Sequence, residues 1–346
     1  MGLYRREFLL ETTSPILIHG AGRKTIGNRE YAIPEMRAVS LKGEMRWLLR
    51  ALLGRKLSSK EVKCYDFLLN GSTEKASLWS VYVELVSGEE KKILIAKHNG
   101  KPVYSLGYSE GTVIRVVFVS KNASVDALIR DLFTFWLWYG GIGNRWRHGF
   151  GKFKRIDGDE INKNANVDEF VNSVIENFNI SPCNLKVGNA KRFPVFHKIF
   201  SVSYKEIGKY KLDSIPIIKA AIENLLMEFL EQDEIREKIR DNYKREKSLK
   251  RKECERKFSK NDEAKKKCYE NIDEIWGDEI DWFLYKAMGG VRLGRVPSRF
   301  IYRPLSDKMR IIKLTIPEIP LEVDDEVKEY LPKRLKEKIR DINRRR

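Results

Sequence analysis

The sequence has few of the residues that metal sites and disulfides require. Its 346 residues include four cysteines and four histidines, and no two cysteines form a C-x-x-C pair. Structural zinc sites usually combine such pairs with further cysteines or histidines, so we expect no metal ion and no cofactor. Structural disulfides are rare in reducing compartments, and we therefore expect the cysteines to be free thiols.

The sequence also lacks the apolar segments of membrane and exported proteins. It has no apolar run of about 18 residues, and MGLYRREFLLETTS at the start alternates like a strand and has no apolar leader core. No G-K-[ST] triplet follows a glycine-rich loop, which disfavours NTP hydrolysis. These absences predict a cytoplasmic protein with no membrane partner.

Positive charge is in excess. There are 67 Lys and Arg residues against 49 Asp and Glu, which gives a formal charge of +18. Such a field attracts polyanions, nucleic acid above all, although a solvated basic surface without a ligand is the alternative. The single glutamine, Gln232, beside abundant Lys and Glu indicates a thermophilic source.

The hydrophobic patterns of the first half predict an α+β fold. Strands are expected at 4–13, 78–86, 91–96, 112–119 and 151–156, and amphipathic helices after Ser40 and Ser124. This order fits an antiparallel sheet with two helices on one face, as in ferredoxin-like or RRM-like domains. The other face of the sheet is left for a partner.

The second half predicts another module and a charged helical insertion. Strands are expected near 194–204 and 309–316, with a helix at 214–232. Residues 242–268 hold 12 bases and 5 acids with almost no apolar residue, which indicates a charged helical arm. The predicted domains are 1–160 and 161–320, with the insertion at about 233–282 and a basic tail at 321–346.

The segment GGIGNRWRHGFGKF, residues 140–153, carries the clearest functional signal. Glycines allow close approach of the backbone to a ligand, so main-chain amides could contact phosphates. Arg145 and Arg147 would neutralise charge, and Trp146 would stack on a splayed RNA base. The structural alternative is a helix C-cap at Gly140 or Gly141 with Trp146 in the core.

Three cations on the first helix form a second candidate surface. Lys42, Arg46 and Arg50 are four residues apart and therefore share one face of the helix. We expect them to form the second part of the same groove, or else a solvated helix face.

These segments resemble the RAMP proteins of CRISPR systems. GIGNRWRHGFG (141–151) has the RAMP pattern of Gly, hydrophobic, Gly, five residues, Gly, hydrophobic, Gly. TSPILIHGAG (13–22) and PEMRAVSLKGEMRWLLRALLG (34–54) are similar to blocks of the subgroup found in the Cmr complex, the type III-B effector. The likeness is looser over 285–315, where only Gly289, Gly290 and Gly294 of the signature are present.

The resemblance implies two tandem ferredoxin-like domains and a structural subunit that cuts no RNA. The implied partners are CRISPR RNA near its 3′ end, complementary target RNA and the other Cmr subunits, in antiviral defence. The RNA-binding candidates are Arg37, Lys42, Arg46, Arg50, Gly141, Gly143, Asn144, Arg145, Trp146, Arg147, His148, Gly149, Gly151, Lys152, Arg292, Arg295 and Arg299.

Two other functions stay open at this point. His19 or His148 could be the general base of a metal-independent endoribonuclease that processes CRISPR RNA, as in some RAMP relatives. Alternatively, the chain is an assembly adaptor whose charged arm docks on a neighbouring protein.

Overall fold

The computed structural model describes residues 2–72, 75–98, 101–158, 166–178, 194–209, 211–289 and 298–344. The chain divides into two compact units, residues 1–195 and 196–346. The first unit contains β1 (Tyr4–Thr12), β2 (His19–Ile26), β3 (Arg29–Pro34), α1 (Ala38–Leu53), α2 (Ser59–Asn70), β4 (Trp79–Ser87), β5 (Glu90–His98), β6 (Lys101–Tyr108), β7 (Val113–Ser120), α3 (Ala123–Tyr139), β8 (Phe153–Arg155) and α4 (Val167–Asn177).

The main sheet of the first unit is antiparallel and has the order β4-β7-β1-β8. In the register of β1 with β7, Phe8 faces Val116, and β1 also pairs with β8 through Thr12 and Phe153. With α1 between β1 and β4, and α3 between β7 and β8, this is the strand order of a ferredoxin-like domain. The predicted α+β fold with an antiparallel sheet is confirmed.

The core of the first unit lies between this sheet and the helices. Alternate residues of β1 and β7, such as Phe8 and Phe118, point to one side and are buried. The ring of Phe133 on α3 meets both, at centroid distances of 4.7 and 4.9 Å. The strand period of two and the apolar face of α3 therefore meet as the sequence pattern predicts.

Several elements lie outside the predicted pattern. The strands of the β2–β3 hairpin are not among those expected, and neither is β6, which pairs with β5 in a second hairpin. Helices α2 and α4 were also not predicted. The helix α4 packs against α1 and α3 in the first unit, at residues where the sequence places the start of the second domain.

The second unit has a three-stranded antiparallel sheet and long helices. Its elements are β9 (Phe196–Ser203), α5 (Tyr204–Ile207), a 3-10 turn (Lys211–Ser214), α6 (Ile215–Leu230), α7 (Asp233–Lys257), α8 (Asp262–Trp276), α9 (Glu279–Met288), β10 (Phe300–Pro304), β11 (Lys308–Leu314) and α10 (Leu321–Arg344). The sheet order β10-β11-β9 matches three strands of a ferredoxin-like sheet. Within the described part of this unit, no fourth strand joins it.

The segment predicted as a basic tail belongs to α10, which packs on α6. Val323, Val327, Leu331 and Leu335 recur at spacings of four residues and are buried in the core of the second unit. The bases of 333–344 lie among these apolar positions, so the amphipathic period of the helix, more than its charge, determines its place.

The predicted charged helical insertion is confirmed as the antiparallel pair α7 and α8. Acidic residues of 269–282 bind it: Asp273 pairs with Lys247 at 2.9 Å and with Arg251 at 2.8 Å. Glu279 pairs with Arg236 at 3.1 Å. The acid-rich sequence 269–282 therefore neutralises one side of α7.

The expectation of free thiols is wrong. A disulfide joins Cys254 of α7 to Cys268 of α8, and Cys64 of α2 is also disulfide-bonded. The pairing of α7 with α8 brings Cys254 and Cys268 together, and this proximity cannot be read from the redox state of a compartment.

None of the described helices has an apolar stretch that could cross a bilayer.

Candidate nucleic-acid interface

The glycine-rich loop after α3 has its backbone fixed by hydrogen bonds inside the protein. The amide of Asn144 donates to the Leu17 carbonyl at 2.6 Å, and the amide of Gly151 donates to the Pro15 carbonyl at 2.8 Å. Ile142 donates across the loop to Gly151 at 3.0 Å. These amides satisfy protein acceptors and so are not offered to phosphates, which corrects the expectation for this part of the loop.

The glycines are required by the fold of the loop. Gly143 and Gly151 have φ values of 87° and 59°, in the left-handed region. A Cβ atom at Gly143 would lie 2.5 Å from the Leu17 carbonyl oxygen, and one at Gly151 would collide with the Ile142 carbonyl. Gly141, Gly149 and Gly151 are buried. Close packing of protein on protein, and not approach to a ligand, explains these glycines.

Trp146 lies in the core and not on the surface. Its side chain is 7% exposed, and its ring meets the edge of Trp47 from α1 at a centroid distance of 5.3 Å. Its indole is hydrogen-bonded to the carboxyl group of Glu44. The expectation that Trp146 stacks on an RNA base is therefore corrected, since a buried indole with a partner presents no free face.

Lys152 and Arg147 surround the same ring. Lys152 is fully buried, and its Nζ donates to the Gly140 carbonyl at 2.6 Å and lies 4.9 Å from the Trp146 centroid. This removes Lys152 from the RNA-binding set. The half-buried Arg147 guanidinium lies 4.6 Å from the Trp47 centroid and 5.3 Å from that of Trp146. Arg147 therefore holds α1 to the loop by cation–π contact.

The Glu44 carboxyl titrates in an unusual range. Burial raises its pKa from 4.5 to about 7, against the opposing effects of Arg147, Lys152 and the indole of Trp146. Burial disfavours the charged form and outweighs two nearby cations. The contact between α1 and the loop therefore contains a group that titrates near neutral pH.

The cationic row on α1 is largely used within the fold. Asp66 of α2 is 1% exposed and accepts from Arg46 at 2.7 and 2.8 Å and from Arg50 at 2.6 Å. Lys42 donates to the Trp79 carbonyl at 3.0 Å and lies over its ring. The expectation of a free cationic groove is corrected. The guanidiniums of Arg46 and Arg50 are engaged by one buried carboxylate and so serve the fold.

The exposed part of the loop is its tip. Asn144 and Arg145 are exposed and Gly143 is half-buried, and Arg37 is exposed at the start of α1. Arg145 has φ 61°, which makes it the one non-glycine residue in the left-handed region among those the structure describes. Arg145 is exposed and keeps a backbone conformation that is unfavourable for arginine, so it is the loop cation most available to a phosphate.

His19 links the loop to the β5–β6 hairpin. Its Nε2 lies 2.9 Å from the Leu106 carbonyl and 3.0 Å from the Ser105 hydroxyl, and its Nδ1 lies 3.3 Å from the Asn144 amide nitrogen. Both ring nitrogens have protein partners, which suits a structural role. His148 is half-buried in the loop.

The remaining candidates lie in the second unit. Arg299 is 6% exposed, and its guanidinium donates to Glu318 at 3.3 Å, so it is not available to RNA. Arg292 and Arg295 lie outside the described residues, as do Gly290 and Gly294.

The sheet face opposite the helices of the first unit is neutral overall. It carries three bases and three acids that pair with one another: Arg5 with Glu7, Arg115 with Glu7 and Glu84, and Lys154 with Glu11. Tyr82 is exposed among them. An electrically balanced surface attracts a polyanion weakly, so the face that RRM-like domains use for RNA is a poor candidate here.

Sequence reasoning missed the acids that organise this region. Asp66 and Glu44 were not singled out, although Arg46 and Arg50 at a spacing of four residues signal a shared acidic partner. Trp47 was also missed. No group of three or more potential ligands that could hold a metal ion occurs in the described ranges.

Several solved structures and one family model are similar to this chain. Cmr1 from Pyrococcus furiosus is 16% identical and covers 95% of this chain and 96% of its own, with a TM-score of 0.45. Cmr6 from the same organism is 12% identical over 44% of this chain and 98% of its own, with a TM-score of 0.33.

A third solved structure comes from the type III-B Cmr-beta complex bound to cognate target RNA. It is 16% identical over 45% of this chain, with a TM-score of 0.33, and the likeness spans 59% of its length. No curated protein matches the sequence. The family model of the RAMP superfamily matches residues 9–154, the part that holds the ferredoxin-like sheet and the glycine-rich loop. Residues 9–154 of this chain are therefore similar to the RAMP superfamily.

Proposed function

We propose that this protein is an RNA-binding structural subunit of a CRISPR effector complex of type III-B, in contact with the CRISPR RNA, its target RNA, or both. The observation that carries the proposal is the RAMP-like segment at 9–154 with Arg145 exposed at the tip of its glycine-rich loop. A net charge of +18 supplies the long-range attraction that an RNA partner requires.

In this role the glycine-rich loop holds the tip residues in a fixed position. Its internal hydrogen bonds and the Trp47–Trp146 contact fix the backbone, and the tip residues Asn144 and Arg145 reach the RNA together with Arg37. A fixed loop loses little freedom on binding, so fewer contacts suffice for a given affinity. The contacts are to backbone phosphates and carry little sequence information.

We infer that the subunit does not cut RNA. Both ring nitrogens of His19 have protein partners, so accepting a proton from a 2′-hydroxyl would first cost a structural hydrogen bond. Cleavage of a CRISPR-repeat RNA by the purified protein, abolished by His19→Ala or His148→Ala, would replace this proposal with an endoribonuclease.

Other Cmr subunits are the proposed protein partners. A solved relative comes from a Cmr complex bound to target RNA, and this chain is expected to join a comparable assembly. The proposed location is the cytoplasm. A thermophilic source fits the disulfides as well as the glutamine scarcity, because intracellular proteins of hyperthermophiles are often disulfide-rich.

The test compares two variants with equal loss of charge. The loop variant Arg37→Ala/Arg145→Ala removes two exposed cations, one at the start of α1 and one at the loop tip, and Arg5→Ala/Lys154→Ala removes two ion-paired cations from the neutral sheet face. For single-stranded RNA, the loop variant is expected to weaken binding and reduce the slope of log K against log salt by about 1.4. Equal effects of both variants, or no effect of either, would contradict the loop as the site.

A further inference from the structure

The cations of α7 fall into two groups, those in ion pairs and those exposed on the outer face of the helix. On the side of α7 that faces α8, Lys247 and Arg251 pair with Asp273 of α8, and on the flank Lys250 pairs with Glu253 at 2.7 Å. On the outer face of α7, Lys252 and Arg256 are exposed and have no ion pair in the described part of the chain. Acids are thus available on this arm, but they do not neutralise its outer face.

The outer cations form one straight row. Arg245, Leu249, Lys252 and Arg256 stand at spacings of four, three and four residues, which places them on a single stripe of the helix. All four are exposed. The row runs over about 16 Å of helix, and Arg245 is held toward its start by a hydrogen bond to the Asn242 side chain.

The row is mounted on a cross-linked support. The disulfide between Cys254 and Cys268 joins the two helices on the side of α7 opposite the row. At the other end, the Tyr243 hydroxyl donates to the Gly277 carbonyl at 2.7 Å, and the Tyr243 ring contacts Trp276 and Trp282. Both ends of the stripe are therefore fixed, so ordering it costs little on binding.

We propose that this stripe, Arg245, Lys252 and Arg256 on α7, is a second RNA-binding surface that holds the phosphate backbone of a single strand, separate from the glycine-rich loop. A row of unpaired cations complements a chain of regularly spaced anions. An acidic protein fits less well, because protein interfaces are depleted of lysine and have an apolar centre, and this face offers only Leu249.

The experiment measures binding of a labelled oligouridine strand by the full chain between about 50 and 200 mM salt. Arg245→Gln/Lys252→Gln/Arg256→Gln removes three charges from the stripe. The matched control, Lys250→Gln/Lys265→Gln/Lys267→Gln, removes three charges that pair with Glu253, Asp262 and Glu263 on the same arm.

The stripe variant is expected to lose affinity and to reduce the salt slope by about 2, since each phosphate contact on a single strand contributes about 0.7. The control should change the slope far less. Equal slopes for both variants would overturn the proposal, and so would unchanged RNA binding together with loss of other Cmr subunits, which would make the stripe a protein-docking surface.

This proposal depends on RNA being the partner of the protein, as in the proposed function. It does not depend on the glycine-rich loop being a binding site. If the stripe variant has no effect while Arg37→Ala/Arg145→Ala does, the stripe fails and the proposed function stands. If the stripe variant weakens binding and the loop variant does not, the loop fails as the site and the stripe stands.

Discussion

At the scale of single residues, Arg145 has a backbone conformation that would suit glycine. Its φ of 61° costs an arginine roughly 1 kcal/mol, and the neighbouring loop positions with positive φ are glycines. The cost is understandable if the side chain has a function outside the fold.

We expect Arg145→Gly to raise the free energy of unfolding by up to about 1 kcal/mol and to weaken RNA binding at the same time. Relief of strain at this position should exceed the added freedom of the unfolded chain. Gly143→Ala is the contrasting variant, because its Cβ would meet the Leu17 carbonyl, and it should destabilise. Urea denaturation measures both, and a clear loss of stability in Arg145→Gly would show that its side chain supports the fold.

Glu44 predicts a pH dependence of stability. The carboxyl has an ordinary pKa of 4.5 and a folded pKa of about 7, so the folded protein binds a proton more tightly than the unfolded chain. The free energy of unfolding should fall as the pH rises from 4.5 to about 7, by up to about 3 kcal/mol in total, and should level off above that range.

Glu44→Gln should remove this part of the pH dependence and stabilise the protein at pH 8 relative to the native sequence. Denaturation midpoints at a series of pH values measure the effect. Parallel pH profiles for the two proteins would show that folding does not raise the pKa of Glu44.

At the scale of elements, α1 and α2 are held together by a buried carboxylate. Asp66 accepts from two arginines of α1 and from the Asn70 side chain, whose oxygen accepts from the Trp79 indole. This network continues from α2 to β4, so one acid connects three elements.

Asp66→Asn is expected to destabilise the protein by about 3–5 kcal/mol, because it leaves two partly buried guanidiniums without a counter-charge. The matched control is Asp168→Asn, which breaks an exposed pair with Arg55 at 3.1 Å and should cost less than about 1 kcal/mol. Chemical denaturation of both variants tests this. Similar small losses for the two would mean that the α1 cations are solvated and available to RNA.

The disulfide of the charged arm predicts a local loss of order. Cys254 and Cys268 are 14 residues apart. A cross-link that closes a loop of this length lowers the entropy of the unfolded chain, which stabilises the folded arm by about 3 kcal/mol. In Cys254→Ser/Cys268→Ser, amide hydrogen exchange should accelerate in α8 and in the C-terminal half of α7. The helix α6 serves as the internal control, and unchanged exchange in α8 would mean that packing alone holds the arm.

The elements of the ferredoxin-like sheet could be predicted, because β1, β4, β7 and α3 carry clear periods of two or 3.6 residues. The hairpin strands β2 and β6 could not, since their exposed polar residues and glycines do not alternate cleanly. At the candidate site, charge and glycine content singled out the loop on which the proposed function rests. They could not show that Trp146 and Lys152 point inward, because that depends on Glu44 and Trp47, which are distant in sequence.

At the scale of the whole molecule, the excess positive charge is unevenly used. Many cations pair with acids, as on the main sheet of the first unit and between α7 and Asp273. The exposed cations at the loop tip and on the α7 stripe have no ion pair in the described ranges, and they are the ones that we propose to bind RNA. We therefore expect two small RNA contacts, which a net charge spread evenly over the surface would not produce.

The most direct measurement is ultraviolet cross-linking of the purified native protein to its RNA, followed by mass spectrometry of the cross-linked peptides. We predict cross-links in the peptide that contains Gly143, Asn144 and Arg145, and intact RNA at the end of the incubation. Cross-links confined to the outer sheet face around Tyr82, with none at the loop tip, would contradict the central claim.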